Sequence, residues 1–419
     1  MNKIQRLKGF RDFYPDDMAF QSWLYKKIKE VSESFGFQEY EGPTLEPLEL
    51  YAAKSGEELV KKQAFTLKDK SGKILALRPE MTPTLARMVA AKEGSLTFPI
   101  KWFTYGRRFR YETPQKGRGR EFFQWDIDIL GSENPLSDAE VIQIAATFYK
   151  NVGLSASTVR IKINDREFLQ EKLTSIGIAK EKRPLIFKVI DKKAKVETEV
   201  FEKMLKSAGL SNQQIDKLQD ILADKNSYQQ SQWLSTILDT VEKMGVSEYV
   251  EFDPTIVRGL DYYTRTVLEG WDIKGSFRSI WGGGRYDNLT TDVGGKIRIP
   301  GVGFAMGDMV LKELLIANNK YPILPVNKTQ VLVTVFSPEL LVQSIKVAEV
   351  LRGNGINTEL YLDEAAKLDK QLKYADKKGI PYAIIIGPEE AEADSVTLKN
   401  LRTKEQEKMA VEKLCTLLA

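Results

Sequence analysis

Four segments carry side chains whose types and spacing suit chemistry. In LRPEMTPTLAR (77–87), Pro79 and Pro83 bracket Glu80 and Thr82 at the mouth of a helix. A carboxylate and a hydroxyl there can hold an ammonium group, or cap the helix by accepting from its free N–H groups. The second segment, RRFRYETPQKGRGREFFQWDID (107–128), is basic: residues 105–121 hold six Arg/Lys and two Glu, a local +4 that equals the net charge of the whole chain. Strand alternation places Arg108 and Arg110 on one face, where guanidinium groups offer the bidentate donors that phosphate accepts. The loop TPQKGRG combines glycine freedom with Gln, Lys and Arg, which fits a nucleic-acid backbone and equally a solvated hairpin. In VRGLDYYTRTVLEG (257–270), strand alternation sends Tyr262 and Tyr263 to opposite faces, so one enters a pocket while the other packs; Arg258 precedes Gly259, where backbone can approach closely. The fourth segment, WGGGRYDNL (281–289), has three consecutive glycines, which disfavour regular structure and allow either close approach to a ligand or a bulged turn.

Composition narrows the chemistry further. The 419-residue chain has no histidine and one cysteine, Cys415. Ser-His-Asp and Cys-His pairs, histidine-ligated zinc, Cys₄ clusters and intramolecular disulfides are therefore excluded, and catalysis falls to carboxylates, Arg, Lys, Tyr and backbone groups. The net charge of +4 is too small to make the chain a general polycation, so acidic ligands must meet local patches. No apolar run reaches the roughly 18 residues of a membrane span, and the N-terminus lacks a signal-peptide core, so no membrane association and a cytoplasmic location are expected. There is no Walker A motif, and GVGFAMG does not meet the dinucleotide fingerprint.

The elements that must position these segments follow from periodicity. A helix is expected over 17–36, ended by Gly36, then an edge-like extended stretch with Pro43 and Pro47, and a hairpin over 63–79 turning at Asp69–Gly72. PEMTPTLARMVAAKE reads as a helix, KWFTYGRRFRYE and REFFQWDIDILGS as paired strands, DAEVIQIAATFYKNVG as an amphipathic helix and TVRIKIND as an alternating strand. Residues 166–250 read as a helical insertion, separating a first catalytic part (1–165) from a second (251–322). After a Pro-rich linker, residues 328–419 alternate strand and helix, which argues a small α/β domain with a mostly parallel sheet; its 13 basic and 14 acidic residues from 325 onward make it no generic polyanion binder. The chain is thus α+β in its first part and α/β in its second.

In order and spacing, the set resembles the histidyl-tRNA synthetases, a family of class II aminoacyl-tRNA synthetases. RLKGFRDFYPDD is similar to that family's N-terminal signature, the stretch around Pro43 to its motif 1, FRYETPQKGRGREFFQ to motif 2, and RGLDYY and GGGRYD to its two histidine signatures. The resemblance covers nearly the whole chain, with the C-terminal domain similar to the family's anticodon-binding domain. It implies a six-stranded antiparallel catalytic sheet, a homodimer built partly on motif 1, and activation of histidine by ATP with Mg²⁺ before transfer to the 3′ end of tRNA(His). It further implies that Arg110 and Arg258 flank the α-phosphate, and that Glu112, Arg118 and Phe122 serve ATP, Phe122 against adenine. Glu80, Thr82 and Gln124 would hold the substrate ammonium group, Asp128 and Tyr263, with Tyr262 beside them, would line the imidazole pocket, and Gln115 and Lys116 would face the tRNA. No protein metal ligand is assigned.

Such a reaction needs no protein histidine. The substrate's own carboxylate is ionised at neutral pH and attacks without a general base, leaving positioning and charge neutralisation to the protein. The sequence departs from the family at motif 3, where class II enzymes carry an Arg that meets adenine and the γ-phosphate; Val310 stands there. Either another cation, Lys312 or an Arg from elsewhere, substitutes, or ATP binds more weakly. Phe123 replaces the His or Tyr common in the family. A paralogous reading, the non-catalytic regulatory subunit of ATP phosphoribosyltransferase, is favoured by the missing arginine and opposed by the basic motif 2 loop and the C-terminal domain.

Overall fold

The computed structural model describes residues 3–52, 62–193, 196–257 and 262–418. Two compact units emerge: Met1–Tyr14 with Phe20–Pro322, and Pro15–Ala19 with Ile323–Ala419. The strands in chain order are β1 (Gln38–Glu39), β2 (Leu45–Pro47), β3 (Phe65–Lys68), β4 (Ile74–Leu77), β5 (Ile100–Phe109), β6 (Glu121–Leu130), β7 (Val159–Asp165), β8 (Val250–Phe252), β9 (Thr266–Asp272), β10 (Trp281–Tyr286) and β11 (Gly301–Gly307).

The first unit is organised by an eight-stranded sheet in the order β1-β5-β6-β11-β10-β9-β7-β8. Its six inner strands are antiparallel, as the family resemblance implies, and a short parallel strand extends each edge: β1 on β5 and β8 on β7. Pairing within β6 shows how alternation divides the sheet. Phe123, Trp125, Ile127 and Ile129 point one way, and Trp125 meets Phe148 of helix Pro135–Asn151 at 5.0 Å between ring centroids. Phe122, Gln124, Asp126 and Asp128 point the other way, into a cavity. A second, three-stranded sheet, β2-β4-β3, contains the expected hairpin, with Asp69 accepting from the backbone N–H groups of Ser71 and Lys73 in its turn.

The tyrosines at 262 and 263 correct one expectation. They precede β9 rather than lying in it, so strand alternation does not separate them. The three glycines correct another: they sit in the regular central strand β10. The helices Arg166–Ser175, Arg183–Ile190, Thr198–Ser207 and Asn212–Ala223 enclose their own core around Leu173, Ile186, Phe201 and Leu218. Helix Gln232–Lys243 instead packs on Pro135–Asn151.

The second unit holds β12 (Val331–Val333), β13 (Thr358–Leu360), β14 (Tyr382–Ile385), β15 (Val396–Asn400) and β16 (Gln406–Met409), in the order β13-β12-β14-β15-β16. Only β13-β12-β14 is parallel; β14-β15-β16 is antiparallel, so the expected mostly parallel sheet is in fact mixed. β15 and β16 alternate weakly because they carry lysine, glutamate and glutamine on the outer face, a pattern that conceals an edge hairpin.

Candidate active site

A cleft with about 1000 Å³ of empty space, partly open to solvent, lies over β6, β10 and β11. Glu80, Thr82, Arg110, Glu112, Arg118, Phe122, Gln124, Asp128, Tyr262 and Tyr263 all line it, although they come from segments nearly two hundred residues apart. Arg258 lies outside the described residues. Gln115 and Lys116 do not line the cleft; they form the tip of the hairpin loop above it, where Gln115 and Arg118 exchange backbone hydrogen bonds of 3.0 and 2.9 Å around Gly117.

Glycines make the deep end possible. A Cβ on Gly303 would fall 2.2 Å from Asp128 Oδ1, one on Gly301 2.5 Å from the Tyr286 ring, and one on Gly284 2.9 Å from the Tyr263 ring. The strand glycines therefore admit aromatic and acidic side chains against the sheet's own backbone. Tyr286 donates to Asp128 Oδ1 at 2.5 Å, and Tyr262 donates to Glu80 Oε2 at 3.0 Å. Asp126 receives Arg108, fully buried, at 2.8 Å. Arg108 lies opposite Phe122 in the β5–β6 register and so shares the face that alternation predicts, but it sits beneath the cleft as a structural ion pair. Arg110, just past β5, reaches the cleft, with its Nε donating to Pro79 O at 2.9 Å.

Three acceptor atoms are left over: Gln124 Oε1, Asp126 Oδ1 and Asp128 Oδ2 are buried and accept no hydrogen bond among the described residues. Buried polar atoms without partners are costly, so a cluster of them on a cleft wall is a place for water or for a polar ligand. Burial and the neighbouring Asp126 push the Asp128 carboxyl up, to about 8, against the Tyr286 hydrogen bond that lowers it. Burial likewise raises the Tyr286 and Tyr262 hydroxyls well above their usual range, keeping both protonated as donors. At helix Thr82–Ala90, the N-cap is Met81, whose side chain makes no cap hydrogen bond.

The mouth carries paired charges. Arg118 pairs with Glu112 at 2.6 Å, and Lys116 lies 3.5 Å from Glu313. Val310, which is 5% exposed, packs beneath the loop, since a Cβ on Gly117 would stand 3.1 Å from its Cγ2. Lys312 lies over the Phe20 ring at 5.3 Å and does not line the cleft. The N-terminal signature braces this hairpin: Gly9 O accepts from Arg120 N at 2.7 Å, while Arg11 pairs with Asp308 at 2.9 Å and Asp308 also accepts from Phe123 N.

Asp126, Arg278, Trp281, Tyr286 and Met309 line the cleft without having been singled out. Asp126 and Tyr286 were open to alternation, since they share a face with Asp128 and Gly284 respectively; Arg278 sits in a loop with no periodic signal. The Arg of GGGRYD points away from the cleft: Arg285 is buried against Asp138 and Ser137 at the start of helix Pro135–Asn151.

Comparison with known proteins places the chain in a family. A family model described as histidyl-tRNA synthetase matches residues 9–310, and one described as anticodon binding domain matches 323–419. The chain is 37% identical to the chloroplastic/mitochondrial histidine–tRNA ligase of Arabidopsis thaliana over 95% of its own length and 83% of that protein. It is 35% identical to the histidine–tRNA ligase of Thermoplasma volcanium, covering 97% of this chain and 96% of the other. The histidyl-tRNA synthetase structure from Nostoc sp. PCC 7120 superposes over 100% of this chain and 99% of its own with a TM-score of 0.82 at 28% identity. By sequence and by fold, this histidine-free chain belongs to the histidyl-tRNA synthetase family.

Proposed function

We propose that the chain is a histidine–tRNA ligase. It joins histidine to ATP as histidyl-adenylate with release of pyrophosphate, and then transfers the histidyl group to the 3′ end of tRNA(His). The observation that carries this reading is the cluster of buried, unfilled acceptors on Gln124, Asp126 and Asp128 beside Glu80, Tyr262 and Tyr263. A ligand with an ammonium group at one end and an imidazole at the other can pair with those atoms. Glu80, Thr82 and Gln124 take the ammonium group; Asp128 and Tyr263 read the imidazole, with Tyr286 orienting Asp128. An apolar competitor leaves these groups unpaired, and sites of this kind reject such analogues by about 10⁴–10⁵.

The carboxylate then attacks the α-phosphate in line. Arg110 and Arg258 neutralise charge on that phosphate, Phe122 stacks on adenine, and the Glu112–Arg118 pair holds the nucleotide. Mg²⁺ fits this site as a companion of the triphosphate: no group of three or more Asp, Glu or Cys among the described residues could hold a metal ion, and Mg²⁺ is commonly held by substrate phosphates with few protein carboxylates. When bound it offsets phosphate charge. Gln115 and Lys116 face the acceptor end of tRNA, and we place the enzyme in the cytoplasm as a homodimer. Among the described residues no helix is long and apolar enough to cross a membrane.

ATP–pyrophosphate exchange with each amino acid in turn tests the reading, followed by aminoacylation of tRNA(His) transcript. Exchange with histidine alone is expected. A folded, Mg²⁺-supplied sample inert with histidine overturns it and leaves the non-catalytic regulatory-subunit reading. Light scattering checks the dimer.

A further inference from the structure

Behind the cleft, one indole meets both segments that carry the pocket's tyrosines. Tyr286 ends β10 and donates to Asp128, while Tyr263 lies just ahead of β9 with its ring packed on Gly284 of β10. Their neighbours turn to the far side of the sheet. Arg285 is buried there against Asp138 and Ser137 of helix Pro135–Asn151. Arg265 pairs with Asp165 at 3.4 Å and Glu167 at 3.2 Å. Thr264 N donates to Arg285 O at 2.8 Å, which stitches the two tyrosine-bearing segments together.

Trp233, half-buried on helix Gln232–Lys243, is common to both sides of this stitch. The guanidinium carbon of Arg265 lies 3.9 Å from its ring centroid and that of Arg285 5.2 Å. Its Nε1 donates at 2.9 Å to Oγ1 of Thr266, the first residue of β9, and the Thr266 hydroxyl bonds in turn to Asp138, the partner of Arg285. Carboxylates already face both guanidinium groups, so the indole adds a flat π surface on which they rest and one directed hydrogen bond. Trp233 itself does not line the cleft.

We propose that Trp233 is a positioning residue for the amino-acid pocket: through Arg265, Thr266 and Arg285 it sets how the segments bearing Tyr263 and Tyr286 stand to one another, and so the affinity for the imidazole. This rests on the ligase reading above. The imidazole is held alike in histidine and in its adenylate, so displaced tyrosines raise the KM for histidine and leave kcat in place. The residues proposed for ATP come, Arg258 apart, from the β5–β6 hairpin, so the KM for ATP stays fixed.

Pyrophosphate exchange by wild type, Trp233→Leu and Trp233→Phe, with melting temperatures measured alongside, tests the proposal. Trp233→Leu is expected to raise the KM for histidine about tenfold, the scale of two lost cation–ring contacts and a hydrogen bond, with kcat and the KM for ATP within about twofold of wild type. Trp233→Phe keeps a ring for the guanidinium groups and loses only the N–H, so its KM for histidine should stand about two- to threefold above wild type. Titration calorimetry of histidine without ATP should give the same ranking. A folded Trp233→Leu protein with the wild-type KM for histidine overturns the proposal, as does an equal rise for histidine and ATP, or a loss confined to melting temperature and kcat. If Trp233→Leu does not fold, Trp233→Phe and Thr266→Val, which removes the acceptor of the indole N–H, decide on the same KM: a rise in both supports the positioning role, and wild-type values in both overturn it. Wild type that binds histidine in the calorimeter but shows no exchange defeats the ligase reading instead, while the binding ranking still reports on Trp233, so the two failures are separable.

Discussion

At the deep end of the cleft, Gln124, Asp126, Asp128 and Tyr286 are each 6% exposed or less; at its mouth the Lys116 side chain is 73% exposed and that of Arg118 34%. The deep groups are preorganised by the sheet, desolvated, and already committed to one another on one side: Asp128 to Tyr286, Asp126 to Arg108. Their remaining polar atoms, Gln124 Oε1, Asp126 Oδ1 and Asp128 Oδ2, have no hydrogen-bond partner among the described residues and belong to side chains that line the cleft. Such a region gains specificity, since a wrong ligand leaves polar atoms buried without partners. The cations at the mouth sit in high dielectric, where each contact is worth less and salt screens it. They gain by number and reach, which suits polyphosphate and polynucleotide. On the proposed reading, one cleft thus separates recognition of a small zwitterion from recognition of large anions.

The largest effect is expected from breaking the deep end. Asp128→Ala removes the proposed imidazole partner and leaves the Tyr286 hydroxyl without its acceptor, so kcat/KM for histidine in pyrophosphate exchange should fall by about 10³ or more. A fall below tenfold with the fold intact removes Asp128 from histidine recognition. Gly303→Ala attacks the same end sterically. Its methyl would stand 2.2 Å from Asp128 Oδ1 and 2.3 Å from Ile127 O, backbone that cannot swing aside. Overpacking of this kind costs about 1–3 kcal/mol of stability, and histidine affinity should drop with it. Between the two ends stands Arg110. Arg110→Ala should lower kcat by about 10²–10³ with the KM for histidine little changed, because charge on the α-phosphate grows in the transition state. Rapid-quench measurement of adenylate formation distinguishes this from slower product release.

The same contrast governs pH. An unfolded aspartate titrates near 4, whereas burial and Asp126 hold the folded Asp128 up to about 8. The native state therefore keeps a proton on Asp128 between pH 4 and 8 that the unfolded chain has lost. This contribution to stability is fully present below pH 4 and is lost as pH rises through 8. Asp128→Asn lacks that titration, so its urea midpoint should decline less than wild type between pH 5 and 8. Parallel declines in the two proteins would show that Asp128 titrates normally.

Much of this arrangement was legible in the chain itself. REFFQWDIDILGS was legible as a strand, and the resemblance pointed to Phe122, Gln124 and Asp128; in the structure they share one face with Asp126. Pro, Gly and Asp signals marked the hairpin at 69–72 and the helix opening at 82. What stayed hidden depended on partners remote in sequence. Three glycines read locally as a break in structure, yet β10 is regular because Gly284 and its β11 neighbours Gly301 and Gly303 make room for Tyr263, Tyr286 and Asp128. Arg108 read as a ligand or surface charge, but Asp126 buries it, and Arg285, which no local signal marks as buried, is held by Asp138. Tyr262 and Tyr263 were read as strand residues because nothing in VRGLDYYTRTV announces that pairing begins only at Thr266.

The smallest effect belongs to the outermost cation. Lys116 meets Glu313 at 3.5 Å across solvent, and exposed pairs of this kind contribute about 0–1 kcal/mol. Lys116→Ala should therefore leave the melting temperature and pyrophosphate exchange with histidine unchanged. Its KM for tRNA(His) in aminoacylation should rise a few-fold, since one lost phosphate contact removes roughly one counterion from the salt dependence. Measuring that KM from low to moderate salt, in wild type and variant, sharpens the contrast between the two ends: the curves should converge as salt rises, while the histidine KM of neither protein responds. A histidine KM that shifts with Lys116, or a tRNA KM that does not, would mean that the loop closes on the small substrates rather than reaching outward to the nucleic acid.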